Sequence, residues 1–176
     1  MIYKYLIALL FVANVASAAL LEKICSCRLS DDSQVSLLAE SSIDGKQLYL
    51  EVDGQITKAF TDIPGPDFIG QVVLVKCFDG VLIFAFNYGP PYLKGRVIRK
   101  NPTNNATEYI DFAEKALPRW LYLSPTEMKL VIPNIGYEVP SKYLIYNFVA
   151  GKGQGDEAVG SNTLPDKHGF TVRRLR

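Results

Sequence analysis

Histidine and tryptophan each occur once, methionine twice and cysteine three times, and neither sign of charge is in excess. Each shortage excludes something. A single histidine leaves no H-E-x-x-H zinc site, and no G-x-S-x-G elbow or EF-hand loop is present, so the common zinc, serine and calcium signatures are missing. A formal net charge of +1 gives no general electrostatic case for nucleic acid or anionic membrane. The short basic groups, Lys94, Arg96, Arg99 and Lys100 with the tail Arg173, Arg174 and Arg176, read as solvated faces. No apolar run reaches the roughly 20 residues a membrane-spanning helix needs.

The first residues, MIYKYLIALLFVANVASA, have one charge, Lys4, then an apolar stretch and a small-residue Ala16-Ser17-Ala18 site. That is the pattern of a secretory signal peptide spanning 1–18. Glu22-Lys23-Ile24 before Cys25 does not fit lipidation. Cleavage after Ala18 leaves 158 of the 176 residues, 19–176, enough for one β-rich domain with its own core. The expected location is periplasmic or secreted, with no stable membrane insertion after cleavage.

Three cysteines in an exported chain predict one disulfide and one leftover thiol. Cys25 and Cys27 are two residues apart and share a face if they lie on a strand, so Cys77 is expected to pair with Cys25 or Cys27. A metal site lacks a fourth ligand at a recognisable spacing, and a redox motif would have C-x-x-C. No metal or cofactor is expected.

The strongest local pattern is Gln71–Tyr88, QVVLVKCFDGVLIFAFNY. Asp79-Gly80 suits a two-residue type I′ turn between two Val-, Ile- and Phe-rich runs. The register that follows sets Phe78 opposite Val81, Cys77 opposite Leu82, Val75 opposite Phe84 and Val73 opposite Phe86. One face of this hairpin is wholly apolar and the other nearly so, which places it in the middle of a sheet, covered on both sides. Before it, a strand over Leu20–Ser30 precedes a meander from Val35 to Phe60, turning at Asp44-Gly45 and Asp53-Gly54. Val35, Leu37 and Ala39 should share a core-facing layer with Leu48, Leu50 and Val52. The third strand of that meander reads as an edge.

Prolines at 64 and 66 make Thr61–Gly70 a loop. Tyr88-Gly89-Pro90-Pro91-Tyr92 is an irregular turn, and Leu93–Lys100 returns as a strand. One short helix is expected at about 106–117, because Tyr109, Phe112, Ala113, Ala116 and Leu117 repeat at helical spacing, Asn105 and Glu108 resemble a capping box, and Pro118 stops the run. Thr107, Tyr109 and Asp111 also alternate as an edge strand would. Further strands are expected at Arg119–Leu123, Glu127–Ile132, Tyr137–Val139, Tyr143–Val149 and Phe170–Leu175. The fold class is mainly β, an antiparallel sandwich or partly open barrel.

Functional candidates lie in loops. The stretch Gly151–His168, GKGQGDEAVGSNTLPDKH, lacks the Lys-Ser/Thr and following helix of a phosphate loop and reads as a surface loop suited to partner contact. Its polar residues Lys152, Gln154, Asp156, Glu157 and His168, with Tyr88 and Tyr92 beside the prolines, form the expected partner-binding set. Trp120 reads as a cap on the core, and Asn105-Ala106-Thr107 is a formal glycosylation sequon. His168 could serve a cysteine as base, but strand-borne cysteines are poor nucleophile candidates. Paired acids, Asp31-Asp32 and Asp156-Glu157, sit on polar turns. The expected function is therefore an exported non-catalytic protein that binds another protein, of inhibitor, immunity or envelope-assembly type. The alternatives are a hydrolase of cell-wall or carbohydrate material and a structural or adhesive subunit.

Overall fold

A computed structural model describes residues 21–43, 45–62, 71–136 and 139–176. The expected signal peptide, Asp44 of the first turn, most of the loop before the central hairpin, and residues 137–138 of an expected strand lie outside them.

The described residues form fourteen strands and no helix. All pairings are antiparallel, in three sheets that follow chain order. The first is a meander of β1 (Glu22–Arg28), β2 (Gln34–Ser42), β3 (Gly45–Val52) and β4 (Gln55–Lys58). The second is a meander of β5 (Val72–Phe78), β6 (Val81–Gly89), β7 (Tyr92–Lys100) and β8 (Thr107–Glu114). The third contains β9 (Trp120–Leu123), β10 (Glu127–Pro133), β11 (Tyr143–Val149), β12 (Gly153–Gln154), β13 (Val159–Ser161) and β14 (Thr171–Arg174), with β14 beside β9 and both β12 and β13 on the far side of β11.

Two apolar cores share the second sheet between them. Leu82, Phe84, Phe86 and Ile98 pack with Cys27, Val35, Leu37, Ala39, Leu48 and Leu50 of the first sheet. The alternate residues Val81, Ile83, Ala85 and Val97 pack with Leu121, Met128, Leu130 and Ile132 of the third. Because successive side chains point to opposite faces, a strand buried on both sides needs an unbroken apolar run. Strand β6 has one: Val81 through Phe86 are all buried. The sequence therefore places this strand where the structure does, in the middle of a double sandwich.

The expected register holds next to the Asp79-Gly80 turn, and the expected core-facing layer holds across β2 and β3. Phe78 faces Val81, Cys77 faces Leu82 and Val75 faces Phe84. Beyond them an irregularity between Val72 and Leu74 brings Val72, not Val73, opposite Phe86. Asp79 and Gly80 both have positive φ, 49° and 72°, as do Asp53 and Gly54, the backbone a type I′ turn requires. Val35, Leu37 and Ala39 face Val52, Leu50 and Leu48, and β4 is an exposed edge. Gly95 admits the tightest packing: a Cβ there would stand 2.3 Å from the Phe84 carbonyl oxygen and 2.4 Å from the Phe112 ring.

The helix expected at 106–117 is replaced by β8, the edge strand of the second sheet. Burial in β8 has period two, with Glu108, Ile110 and Phe112 inward and Thr107, Tyr109 and Ala113 exposed. The helical spacing of the apolar residues loses to the free edge of β7, where Arg99 and Arg96 find carboxylates directly opposite, at Glu108 and Asp111. Asn105, the expected cap, instead has φ 57° in the preceding turn.

Gly151–His168 also departs from expectation. It folds back on β11 twice, Gln154 opposite Phe148 and Val159 opposite Ile145. The chain then crosses the outer face of the third sheet, where Tyr122 is fully buried and stacks edge-to-face on Phe170. Burial pushes the Tyr122 phenol up, with the neighbouring Tyr143 adding to it.

Cys27 and Cys77 form the disulfide, with Cα atoms 5.4 Å apart, joining β1 of the first sheet to β5 of the second. Cys25 is the remaining thiol; burial pushes its pKa up, against a lowering backbone bond from Leu37.

Candidate partner-binding surface

The turn between β6 and β7 is built so that two tyrosines face outward from a rigid base. Gly89 pairs with Tyr92 across a cis Pro90-Pro91 bond. Proline has no N–H to give and a fixed φ, so such a turn has little conformational freedom to lose on binding. Tyr88 is 39% exposed and Tyr92 38%. Each ring is backed by a cation: Lys94 Nζ lies 5.3 Å from the Tyr88 centroid and Lys115 Nζ 5.4 Å from that of Tyr92. Tyr88 also stands edge-to-face on buried Phe86, 6.3 Å between centroids.

Lys94 is buried, with its ammonium 4.9 Å from the Phe60 ring and 2.5 Å from Asp62 Oδ2. That bond holds the Asp62 carboxyl below the usual carboxylate range, against partial desolvation. Arg96 continues the series. It grips Asp111 with two contacts at 2.5 and 2.6 Å and lies between the rings of Phe60 and Tyr109. The basic group read as a solvated face is thus a set of paired cations: Lys94 with Asp62, Arg96 with Asp111, Arg99 with Glu108, and Lys100 with Asp31 at 3.8 Å. The sequence hid this because the carboxylates come from outside β7: two from β8, one from the β1–β2 turn and one from the segment after β4.

Next to Tyr92 a groove of about 500 Å³ is lined by Leu93, Lys115, Leu117, Arg119, Pro133 and Ile135, among others. Ile135 is 57% exposed. Nothing in the spacing of residues 115–135 pointed to this groove, which forms where the ends of β7, β8 and β10 meet. Trp120 is half-buried, packed edge-to-face on Tyr143 with Arg119 over its ring.

The other expected contact residues lie elsewhere. Gln154 is half-buried, and its side-chain amide accepts from the Asp111 N–H and donates to the Asp111 carbonyl, both at 2.8 Å. It extends β8 in place of a neighbouring strand and joins the second sheet to the third. Lys152 is exposed in the turn after β11, its N–H donating to the Val149 carbonyl. Asp156 and Glu157 are exposed between β12 and β13, and His168 is exposed before β14 with its N–H on Asp166. The seven residues are spread over several parts of the surface: Tyr88 and Tyr92 share one turn, and Asp156 and Glu157 another.

Little in this geometry suits hydrolysis. Asp31 is committed to Ser33, whose hydroxyl and N–H both donate to it, and is held below its usual range mainly by that hydroxyl. Glu51 and Asp53 share a cavity of about 220 Å³ on the first sheet, but Glu51 sits 3.8 Å from Lys23. The remaining thiol, Cys25, has a raised pKa, the opposite of an activated nucleophile. Among the described residues no three His, Cys, Asp or Glu side chains are grouped to hold a metal ion. No protein-family model, curated protein or solved structure matches the chain.

Proposed function

We propose that this chain is an exported, non-catalytic binding protein that acts through a protein–protein interface, as an inhibitor, immunity factor or envelope-assembly partner, with the Tyr88–Tyr92 turn as its contact. The observation that carries the reading is the pair of partly exposed tyrosines on a proline-stiffened turn beside a groove that mixes apolar residues with Lys115, Arg119 and Arg176. Tyrosine supplies large contact area at small entropic cost and is enriched where interfaces concentrate their energy. The signal-peptide pattern and the Cys27–Cys77 bond support an oxidising location outside the cytosol.

The test is capture of partners from the source's own extracellular or envelope fraction, comparing the native chain with Tyr88→Ser/Tyr92→Ser. Each tyrosine is more than half covered and Tyr88 packs on Phe86, so the double variant should lose some stability but keep its fold, which retained amide dispersion checks. Loss of a captured partner at equal folding is the expected result. Equal capture by the variant would remove this turn from the interface. A companion variant, Lys152→Ser/Asp156→Ser/Glu157→Ser, leaves Gln154 in place and tests the exposed part of the glycine-rich segment separately.

A further inference from the structure

At the other end of the second sheet, roughly 25 Å from Tyr92 along β7 at the usual strand rise, the three sheets meet around a cavity of about 340 Å³. Each sheet contributes a rim. The first provides Ser30 from the β1–β2 turn; the second provides the Asp79-Gly80 turn and the end of β7; the third provides Ser124, Pro125 and the start of β14. Polar bridges hold the junction together. Ser30 Oγ donates to the Lys100 carbonyl at 3.0 Å, Arg99 Nη1 donates to the Ser124 carbonyl at 2.7 Å, and Arg173 pairs with Asp79. Gly80 is required here, since a Cβ would stand 2.7 Å from the Ser30 nitrogen.

The charges are unevenly placed. Arg99, Lys100 and Arg173 all line the cavity, whereas of their carboxylate partners only Asp79 does; Glu108 and Asp31 stand outside the lining. Arg99 gives Nε to Glu108 and Nη1 to Ser124, so its charge is satisfied within the protein. Lys100 stands farther from its carboxylate than Arg99 does, and Arg173 is more exposed. Lys100 is 3.8 Å from Asp31, and Arg173 Nε donates to Asp79 in a pair that is nearly half exposed, a class of ion pair that contributes little to stability. Between these cations the wall is apolar, from Val81, Leu123, Pro102 and Pro125. An apolar cavity of this size with a few convergent polar groups is the usual form of a small-molecule site.

We propose that this cavity binds a small amphipathic acid, its oxyanion head held between Lys100 and Arg173 and its apolar body against Val81, Leu123 and Pro125. The head takes charge-assisted hydrogen bonds from two cations, and the body fills the space an inorganic ion would leave to water. Such a ligand would bridge the second and third sheets.

The experiment titrates the full folded chain with naphthalene-1-sulfonate, followed by calorimetry and amide NMR, with naphthalene-1-methanol and inorganic sulfate as parallel arms. The expected result is saturable one-site binding, with shifts centred on Val81, Ser124, Thr171 and Arg173. Losing one charge-assisted bond corresponds to about a tenfold change. Arg173→Gln and Lys100→Gln should therefore each weaken the sulfonate by about tenfold, and Arg173→Lys by less. The alcohol and sulfate should each bind at least about tenfold more weakly than the sulfonate. Absence of saturable binding, shifts away from the cavity, equal binding of the alcohol or of sulfate, or unchanged binding in the folded Lys100→Gln protein would each overturn the proposal. Retained amide dispersion in the variants separates loss of the site from loss of the fold.

Discussion

Arg99 of β7 and Glu108 of β8 are cross-strand partners buried together between the second and third sheets, 5% and 3% exposed, with Arg99 Nε 2.7 Å from Glu108 Oε2. Asn101 completes the group, its Nδ2 donating to Glu108 Oε1 at 2.6 Å. Arg99 Nη2 also lies 2.7 Å from Glu108 Oε2 but outside hydrogen-bonding geometry. Removing one partner leaves the other charge desolvated. Arg99→Met and Glu108→Leu alone should therefore each cost about 3–5 kcal/mol, whereas Arg99→Met/Glu108→Leu should cost clearly less than either single change. Urea unfolding of the four proteins in the cycle measures this, and a double variant as unstable as the sum of the singles would contradict it.

The disulfide closes a loop of 50 residues between the first two sheets. Chain entropy alone puts its contribution at about 4 kcal/mol, so Cys27→Ala/Cys77→Ala should lose stability of that order. Without reductant, the denatured native chain should titrate one thiol and alkylate at Cys25. In the folded protein that reaction should slow, because burial both covers the thiol and raises its pKa. Two or three titratable thiols would show that the bond is absent.

Much of the fold was legible because backbone chemistry and burial pattern agreed. Asp79-Gly80 admits the turn, and the unbroken run Val81–Phe86 demands cover on both faces. The bulge at Val73 left no mark, since Val72, Val73 and Leu74 are interchangeable to a pattern of apolar residues. The pattern of β8 misleads because Glu108 looks like an exterior residue until Arg99 is opposite it. The glycine-rich segment misleads for the converse reason. It joins β11 through backbone pairing and the Gln154 amide, neither of which needs an apolar period. Of the candidate surface, the two tyrosines were visible from the prolines between them. The groove beside Tyr92 and the cavity at the Asp79 end were not, because each gathers residues from strands far apart in the chain.

Tyr122 is fully buried on the outer face of the third sheet, and its hydroxyl has no hydrogen-bond partner among the described residues. A buried hydroxyl without a partner loses its hydration for no return. Tyr122→Phe keeps the ring against Phe170 and removes the orphan group, so stability should hold or rise by up to about 1 kcal/mol. Thermal and urea unfolding test this, and a loss greater than about 1 kcal/mol would mean that the hydroxyl is satisfied by bound water.

Part of the alkaline limb of stability should depend on a residue joining the second and third sheets. Tyr146 of β11 donates from its hydroxyl to Glu114 Oε1 at 2.6 Å, and its ring packs 6.5 Å from Phe112. Burial first, then the bond to the Glu114 carboxylate and its charge, push the phenol well above its ordinary value. A raised pKa means that the folded chain keeps a proton which the unfolded chain releases near pH 10. The linked stability is therefore complete below about pH 10 and is lost as pH rises from there through the folded value. Tyr146→Phe removes the titrating group, so its urea midpoint should fall less steeply between about pH 9 and 11 than that of the native chain. At neutral pH it should lose the hydrogen bond to the Glu114 carboxylate, about 1.5–3 kcal/mol. Parallel alkaline limbs in the two proteins would show that Tyr146 does not carry the linkage.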